Sequence, residues 1–243
     1  MNNILFADGH VGLEIAEFLF QNFKEDLALI ITIEENNIFR KAQNFGVQTL
    51  VFTTSDELIN KLPADLDFGL LAWWPKLIPK TLIECAKYGF INTHPSFLPF
   101  NRGKNYNFWA LVEQNPFGVS LHQVDEGIDT GPILAQREIY YDWTDTGETL
   151  FNKAQSKIIE LFTETYPRVR SGKVVFKKQN ESEGSFHFAS EMDAVSKIDL
   201  DKYYKSRDLI NLLRARTFEG HPGCWFMENE EKYEISIKVK KVL

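Results

Sequence analysis

The stretch Asn3-Ile4-Leu5-Phe6-Ala7-Asp8-Gly9-His10-Val11-Gly12 decides the fold of this 243-residue chain. Residues 3–7 are a short apolar run, the two glycines after them mark a turn, and residues 13–23 carry apolar side chains at helical spacing, so the stretch reads strand, glycine turn, helix. The pattern then repeats. Residues 27–33 read as a buried strand, 37–45 as a helix closed by Gly46, and 47–52 as a third strand. Ser55 is expected to open another helix as its N-cap, with Glu57 and Leu58 in the first turn, and residues 68–74 are strand again. Buried strands alternating with helical segments predict an α/β fold: a Rossmann-like, mostly parallel sheet with helices on both faces and right-handed crossovers.

The first turn invites a dinucleotide-binding reading, with Glu34 or Glu35 as the ribose acid. The fingerprint needs three glycines at fixed offsets, and only Gly9 and Gly12 are present. What remains is a tight turn without a ligand, or a helix N-terminus at Gly9 and His10 whose amides touch a substrate phosphate.

Further along, two polar clusters sit at expected strand ends. In Phe90-Ile91-Asn92-Thr93-His94-Pro95 an amide and an imidazole are one residue apart, so an extended backbone sends both side chains from one face. Pro95 biases His94 toward extended backbone and ends the strand with His94 at its tip. The second cluster, Asp125-Glu126-Gly127-Ile128-Asp129-Thr130-Gly131-Pro132, is turn chemistry between apolar strands. Folded back over the strand tip, it would let Asp129 accept a hydrogen bond from the His94 ring. Such a group suits acyl transfer to an amine: the amide and a protonated imidazole donate to a developing oxyanion, while the carboxylate fixes the ring and raises its pKa above roughly 6.5.

At these residues the sequence resembles the 10-formyltetrahydrofolate-dependent formyltransferases, through the Asn-x-His-Pro-Ser-x-Leu-Pro run at 92–99 and the Asp-Thr-Gly-Pro loop at 129–132. The resemblance implies catalytic Asn92, His94 and Asp129, with 10-formyltetrahydrofolate as formyl donor and no metal. It also implies folate contacts from Trp74, Leu77 and Ile78, to which Asp125 and Gly127 are added. The irregular Trp73-Trp74-Pro75-Lys76-Leu77-Ile78-Pro79 segment could line a slot for a flat ring, or hold core aromatics.

Arg102, Gly103, Lys104 and Asn105 form a loop suited to gripping an anionic substrate, Arg102 offering a bidentate fork. Residues 107–114 then read as a helix, 117–124 as an alternating strand with His122 in its middle, and 133–140 as the next strand. His122 reads either as a structural histidine or as a group behind the catalytic ones. Residues 149–166 have a helical stripe at Leu150, Ala154, Ile158, Leu161 and Phe162. The polar, glycine-containing stretch 171–185 suggests a boundary, giving a catalytic domain 1–178 and a small C-terminal subdomain 179–243 with a helix and a β-hairpin. In that subdomain a helix around Ile210, Leu212 and Leu213 brings Arg214 and Arg216 toward Trp225, cations for phosphates and a ring for a base. The last strand is expected over 232–243, after a turn at 228–231.

The chain has 27 basic and 34 acidic residues, a formal net charge of −7, which weighs against a large nucleic-acid partner. Two distant cysteines, Cys85 and Cys224, fit a reduced compartment. No signal-peptide pattern or membrane-length apolar run is present, so a cytoplasmic protein without membrane contact is expected. A serine hydrolase lacks its Gly-x-Ser-x-Gly elbow, and a metal hydrolase using His94, His122, Asp125 and Asp129 lacks His-Glu-x-x-His spacing. A non-catalytic sugar-nucleotide binding module would not need Asn92, His94 and Asp129 together. Among the resembling enzymes, a methionyl-tRNA formyltransferase would add a larger basic C-terminal domain and a glycinamide ribonucleotide enzyme would end earlier. The compact appendage most resembles the nucleotide-linked amino-sugar N-formyltransferases of surface-polysaccharide synthesis, with a nucleotide-linked amino sugar as partner and a homodimer as an admissible assembly.

Overall fold

The computed structural model describes residues 1–242. β1 (Asn3–Ala7) is buried along its whole length, and α1 (Gly9–Asn22) follows directly, burying Val11, Ile15, Ala16, Leu19 and Phe20. The unit recurs as β2 (Leu27–Thr32), α2 (Asn37–Asn44), β3 (Gln48–Val51), α3 (Ser55–Ile59), β4 (Gly69–Ala72), α4 (Lys80–Ile83) and β5 (Phe90–His94). Then come β6 (Arg102–Gly103), α5 (Tyr106–Glu113), β7 (Gly118–Gln123), β8 (Ile133–Glu138) and α6 (Gly147–Arg170). The chain continues through β9 (Phe186–His187), α7 (Glu191–Val195), α8 (Ser206–Ala215), β10 (Cys224–Glu228) and β11 (Glu231–Ile235).

A seven-stranded sheet runs in the order β3-β2-β1-β4-β5-β7-β8. The pairs from β3 to β5 are parallel and β5 meets β7 antiparallel. This is the expected Rossmann-like sheet. One face is packed by Ile4, Phe6, Leu29, Ile31, Leu71 and Phe90. Gly69 makes that packing possible, because a Cβ there would stand 2.3 Å from the Phe90 ring.

Several boundaries differ from expectation. Thr54, not Ser55, caps α3: its hydroxyl accepts from Glu57 N at 3.3 Å, one residue earlier than the pattern suggested. β4 stops at Ala72 because Trp73 turns to φ 59°. The α6 stripe at Leu150, Ala154, Ile158, Leu161 and Phe162 is buried as expected, and the helix runs on through Pro167 to Arg170. The final strand ends at Ile235, where its five-residue partner β10 runs out; Leu243, the end of the expected strand, lies outside the described residues. The hairpin turn is Asn229-Glu230, both at positive φ, the geometry that matches strand twist.

By compactness the chain divides into two units. The first contains Met1–His94, Ser120–Gln136 and Gln155–Gln179; the second contains Pro95–Val119, Arg137–Ala154 and the residues from Asn180 onward. This differs from a contiguous split after residue 178. The reason lies in pairing: β6 ladders with β9, with Arg102 opposite Phe186, and α5 packs on α8, so residues 95–119 group with distant sequence.

Candidate active site

In the first unit, β1 has β2 on one side and β4 on the other, so the strand order reverses at β1/β4. The crevice beyond the carboxyl ends of strands at such a point is where open α/β sheets bind ligands. Gly9 and His10 follow β1, the Trp73 turn follows β4, and His94 is the last residue of β5. Thr93, on the opposite face to its neighbours, accepts from Trp73 N at 3.0 Å and donates to Leu71 O at 2.9 Å, which locks the turn after β4 to β5.

Asn92 and His94 share the other face. The antiparallel register sets Asn92 opposite His122 and His94 opposite Ser120, so all four side chains leave the sheet together. His122 is 2% exposed. Its Nδ1 lies 2.9 Å from Gln123 O, a carbonyl that only accepts, so Nδ1 carries the proton. In the neutral ring Nε2 then accepts from Asn92 Nδ2 at 3.2 Å, which fixes the direction of the carboxamide. Ser120 Oγ accepts from Gln136 Nε2 at 3.0 Å.

The loop at 125–132 supplies the carboxylate. Asp129 Oδ1 stands 3.4 Å from His94 Nδ1 and 3.5 Å from His122 Nε2. Its side chain is 14% exposed, against 7% and 2% for the two histidines. The loop is internally braced: Asp125 Oδ1 accepts from Gly127 N at 3.1 Å and Thr130 Oγ1 at 2.7 Å. Glu126 pairs with Lys80 at 2.5 Å. Gly131 passes so close to β7 that a Cβ would stand 1.8 Å from Gln123 O.

His94, His122 and Asp129 offer ligand atoms within 4.8 Å of one another, a two-histidine, one-carboxylate donor set. Of these atoms His122 Nε2 already accepts from Asn92 and has no proton for Asp129, so of the two rings it is His94 from which the carboxylate can accept. An amide with an N–H to spare and an imidazole beside a carboxylate can bind a developing oxyanion and steer a proton.

The remaining expected site residues fall into three groups. Near the site, Trp74 packs edge-on against Phe6 at 5.1 Å and Phe52 at 5.5 Å, Ile78 lies against the same core, and Leu77 is 79% exposed. Gly9 and His10 are exposed at the start of α1, His10 3.9 Å from Glu14. In the second unit, the loop around Arg102, Gly103, Lys104 and Asn105 is tied down through its backbone: Arg102 N donates to Ser185 O at 3.0 Å and Lys104 N to His187 O at 3.1 Å. Asn105 starts α5 at φ 59°.

The third group is a correction. Arg214, expected to hold a phosphate, is 4% exposed; Nη1 donates to Asp142 O and Asp145 O and Nε to Asn211 Oδ1. Burial pushes its pKa below the usual range. Arg216 is 9% exposed and its Nη2 donates to Asp193 Oδ1 at 2.6 Å. Arg214, on the buried side of α8, satisfies its Nη1 and Nε donors on the fold itself, and Arg216, the C-cap of that helix, is committed through Nη2 to Asp193. Trp225 lies in β10 with Lys232 Nζ 4.9 Å and Lys197 Nζ 5.4 Å from its ring.

Comparison with known proteins bears directly on this arrangement. Residues 36–166, more than half of the chain, match the family described as Formyl transferase. The chain belongs to the formyl transferase family. Residues 191–241 of this family member also match the N-formyltransferase dimerization C-terminal domain. A methionyl-tRNA formyltransferase from Thermodesulfovibrio yellowstonii is 35% identical over 187 residues, 76% of this chain and 59% of that protein. A dTDP-4-amino-4,6-dideoxyglucose formyltransferase from Mycobacterium bovis is 28% identical over 150 residues, 62% of this chain and 63% of that one. The chain thus spans about three fifths of the length of these curated relatives. Among solved structures, a sugar N-formyltransferase from Shewanella shares the fold with a TM-score of 0.84 at 21% identity, over 100% of this chain and 99% of that one. Among the described residues, no helix is long and apolar enough to cross a membrane.

Proposed function

We propose that the protein transfers the formyl group of 10-formyltetrahydrofolate to the amine of a nucleotide-linked amino-deoxysugar, a step that supplies formylated sugars for glycan assembly. The observation that carries this reading is the convergence of Asn92, His94 and Asp129 at the tip of β5, with Asp129 3.4 Å from the His94 ring. Family membership supports formyl transfer. The solved N-formyltransferase of Helicobacter canadensis, which shares the fold with a TM-score of 0.73 at 18% identity over 95% of this chain and 85% of that one, is in complex with folinic acid and dTDP-3-aminofucose.

The neutral sugar amine attacks the formyl carbon and a C–N bond forms. Asn92 Nδ2 and the His94 ring donate to the oxyanion, while Asp129 holds the ring and draws the proton from the new ammonium, directly or through water. The bond from carbon to folate N10 then breaks, and N10 takes up a proton. Folate contacts are assigned to Trp74, Leu77, Ile78, Asp125 and Gly127. Sugar-nucleotide contacts are assigned to Gly9, His10, Arg102, Gly103, Lys104, Asn105 and Trp225. The match at 191–241 supports a homodimer. No metal takes part, so a chelator is expected to leave the rate unchanged.

A second reading, formylation of methionyl-tRNA, is favoured by the 35% identity to the Thermodesulfovibrio protein. The net charge of −7 favours the sugar. The deciding experiment assays formyl transfer from 10-formyltetrahydrofolate to dTDP-, UDP- and GDP-linked amino sugars, methionyl-tRNA and glycinamide ribonucleotide. We expect turnover with an amino sugar, dTDP-linked first. Turnover with methionyl-tRNA alone would overturn the sugar reading, and none with any acceptor would overturn formyl transfer.

A further inference from the structure

Asp129 has φ 55°, in the left-handed region that is uncommon for a residue with a side chain and that aspartate tolerates better than most. The four residues before it, Asp125, Glu126, Gly127 and Ile128, are exposed, and two braces inside the loop end on Asp125 Oδ1. Neither of these two bonds the Asp129 backbone.

Gln179 does. It lies past the end of α6, in a stretch whose sequence reads only as polar linker, and it is 7% exposed. Its Nε2 donates to Asp129 O at 2.8 Å and to Gly131 O at 2.6 Å. Two residues earlier, Lys177 exchanges backbone hydrogen bonds with Ile133, at 2.7 and 2.8 Å, so the segment is laid along the far end of the loop in fixed register. One amide group therefore grips the carbonyls on either side of Thr130. Holding them fixes the Asp129–Thr130 and Gly131–Pro132 peptide planes, and the first of these is one of the two planes that set the direction in which the Asp129 carboxylate leaves the backbone.

The side chain gives up something for this. Both acceptors are carbonyls, so nitrogen must face them and Oε1 points away, buried and with no hydrogen-bond partner among the described residues. A buried acceptor left unsatisfied is unfavourable, and a methionine of similar length would fill the space without it. The amide is thus explained by the loop it holds and by little else.

We propose that Gln179 is a positioning residue, which holds the Asp129 carbonyl and so helps to aim the Asp129 carboxylate at the His94 ring. The proposal rests on the formyl-transfer reading for its kinetic arm only. Gln179→Met removes both donors while keeping the length, and Gln179→Asn keeps the amide but shortens the reach. For Gln179→Met, kcat is expected to fall about 10- to 100-fold, the scale of an ångström-sized misplacement, with both KM values nearly unchanged. Gln179→Asn is expected to give a smaller loss. In parallel, the Asp129 carboxyl carbon is titrated by NMR in 13C-aspartate-labelled protein, assigned through Asp129→Asn. Its midpoint in Gln179→Met is expected to differ from that of the unaltered chain.

An unchanged kcat, or a lowered kcat with an unchanged Asp129 titration, overturns the proposal, the latter because Gln179 would then be general support for the fold. If Gln179→Met does not fold, Gln179→Asn is judged by the same two measurements. If the unaltered protein proves inactive with every acceptor, the functional reading falls while the titration still decides the role of Gln179.

Discussion

Asn92 has two N–H bonds and gives one to His122 Nε2 at 3.2 Å, so the other is free in direction to meet an oxyanion. Its value can be measured by removal. Losing one such donor costs about 2.7–4 kcal/mol in comparable sites, so Asn92→Ala should lower kcat roughly 100- to 1,000-fold while circular dichroism and the melting temperature stay close to those of the unaltered chain. Turnover within a few-fold would remove Asn92 from the oxyanion site. Asp129 makes a sharper case, because its charge has a signature in pH. In the proposed mechanism both the acceptor amine and Asp129 must be unprotonated, so the rate falls on acidification with a limiting slope of about two in log rate against pH. In Asp129→Asn the residual rate should fall with a slope of about one, the amine alone remaining. A slope unaltered by the substitution would show that Asp129 does not titrate in the step.

The strand–turn–helix at Asn3–Ala7 and Gly9–Asn22 was legible because helix and strand write different periods into sequence, and the parallel order followed from their alternation. The face shared by Asn92 and His94 was legible for the same reason. His122 could not be resolved from sequence, since its role depends on register across two strands, and nothing in one strand tells which residue of another will lie opposite. Arg214 and Arg216 did not show their partners in sequence, because a cation cluster looks alike whether it meets phosphates or the chain's own carbonyls and carboxylates. Gln179 left no periodic signal at all. Gly69 illustrates how element packing hides in one residue. It sits mid-sheet, where glycine is unfavourable, and the reason is the Phe90 ring pressed against its Cα. Gly69→Ala must push that buried ring aside, at a cost of about 1–3 kcal/mol by the usual scale of overpacking. The urea midpoint should fall accordingly, and Phe90→Leu combined with Gly69→Ala should recover part of the loss. A single substitution without effect would mean that the ring moves freely.

At the scale of the whole molecule, stability should depend on pH through its buried phenols. Tyr166 is 1% exposed, accepts from Asn3 Nδ2 at 2.9 Å and donates to Asp26 Oδ2 at 3.0 Å, tying α6 to β1 and to the turn before β2. Burial raises its pKa above the ordinary value, and the neighbouring Asp26 carboxylate raises it further. Desolvation shifts the partly buried Tyr106 in the same direction. A phenol in the unfolded chain loses its proton near pH 10, whereas these keep theirs well beyond it, so the unfolded state binds fewer protons above that point. The stabilisation from the neutral phenol is therefore complete below about pH 10 and is lost progressively as pH rises toward the folded value. Urea midpoints measured at about pH 8 and about pH 10.5 should show a clear drop for the unaltered chain. Tyr166→Phe should begin lower, because two buried hydrogen bonds are gone and Asp26 loses a donor, yet it should drop less between the two pH values. If both chains drop equally, the alkaline sensitivity belongs to other groups, and the Asn3–Tyr166–Asp26 chain of bonds holds the fold without responding to pH in that range.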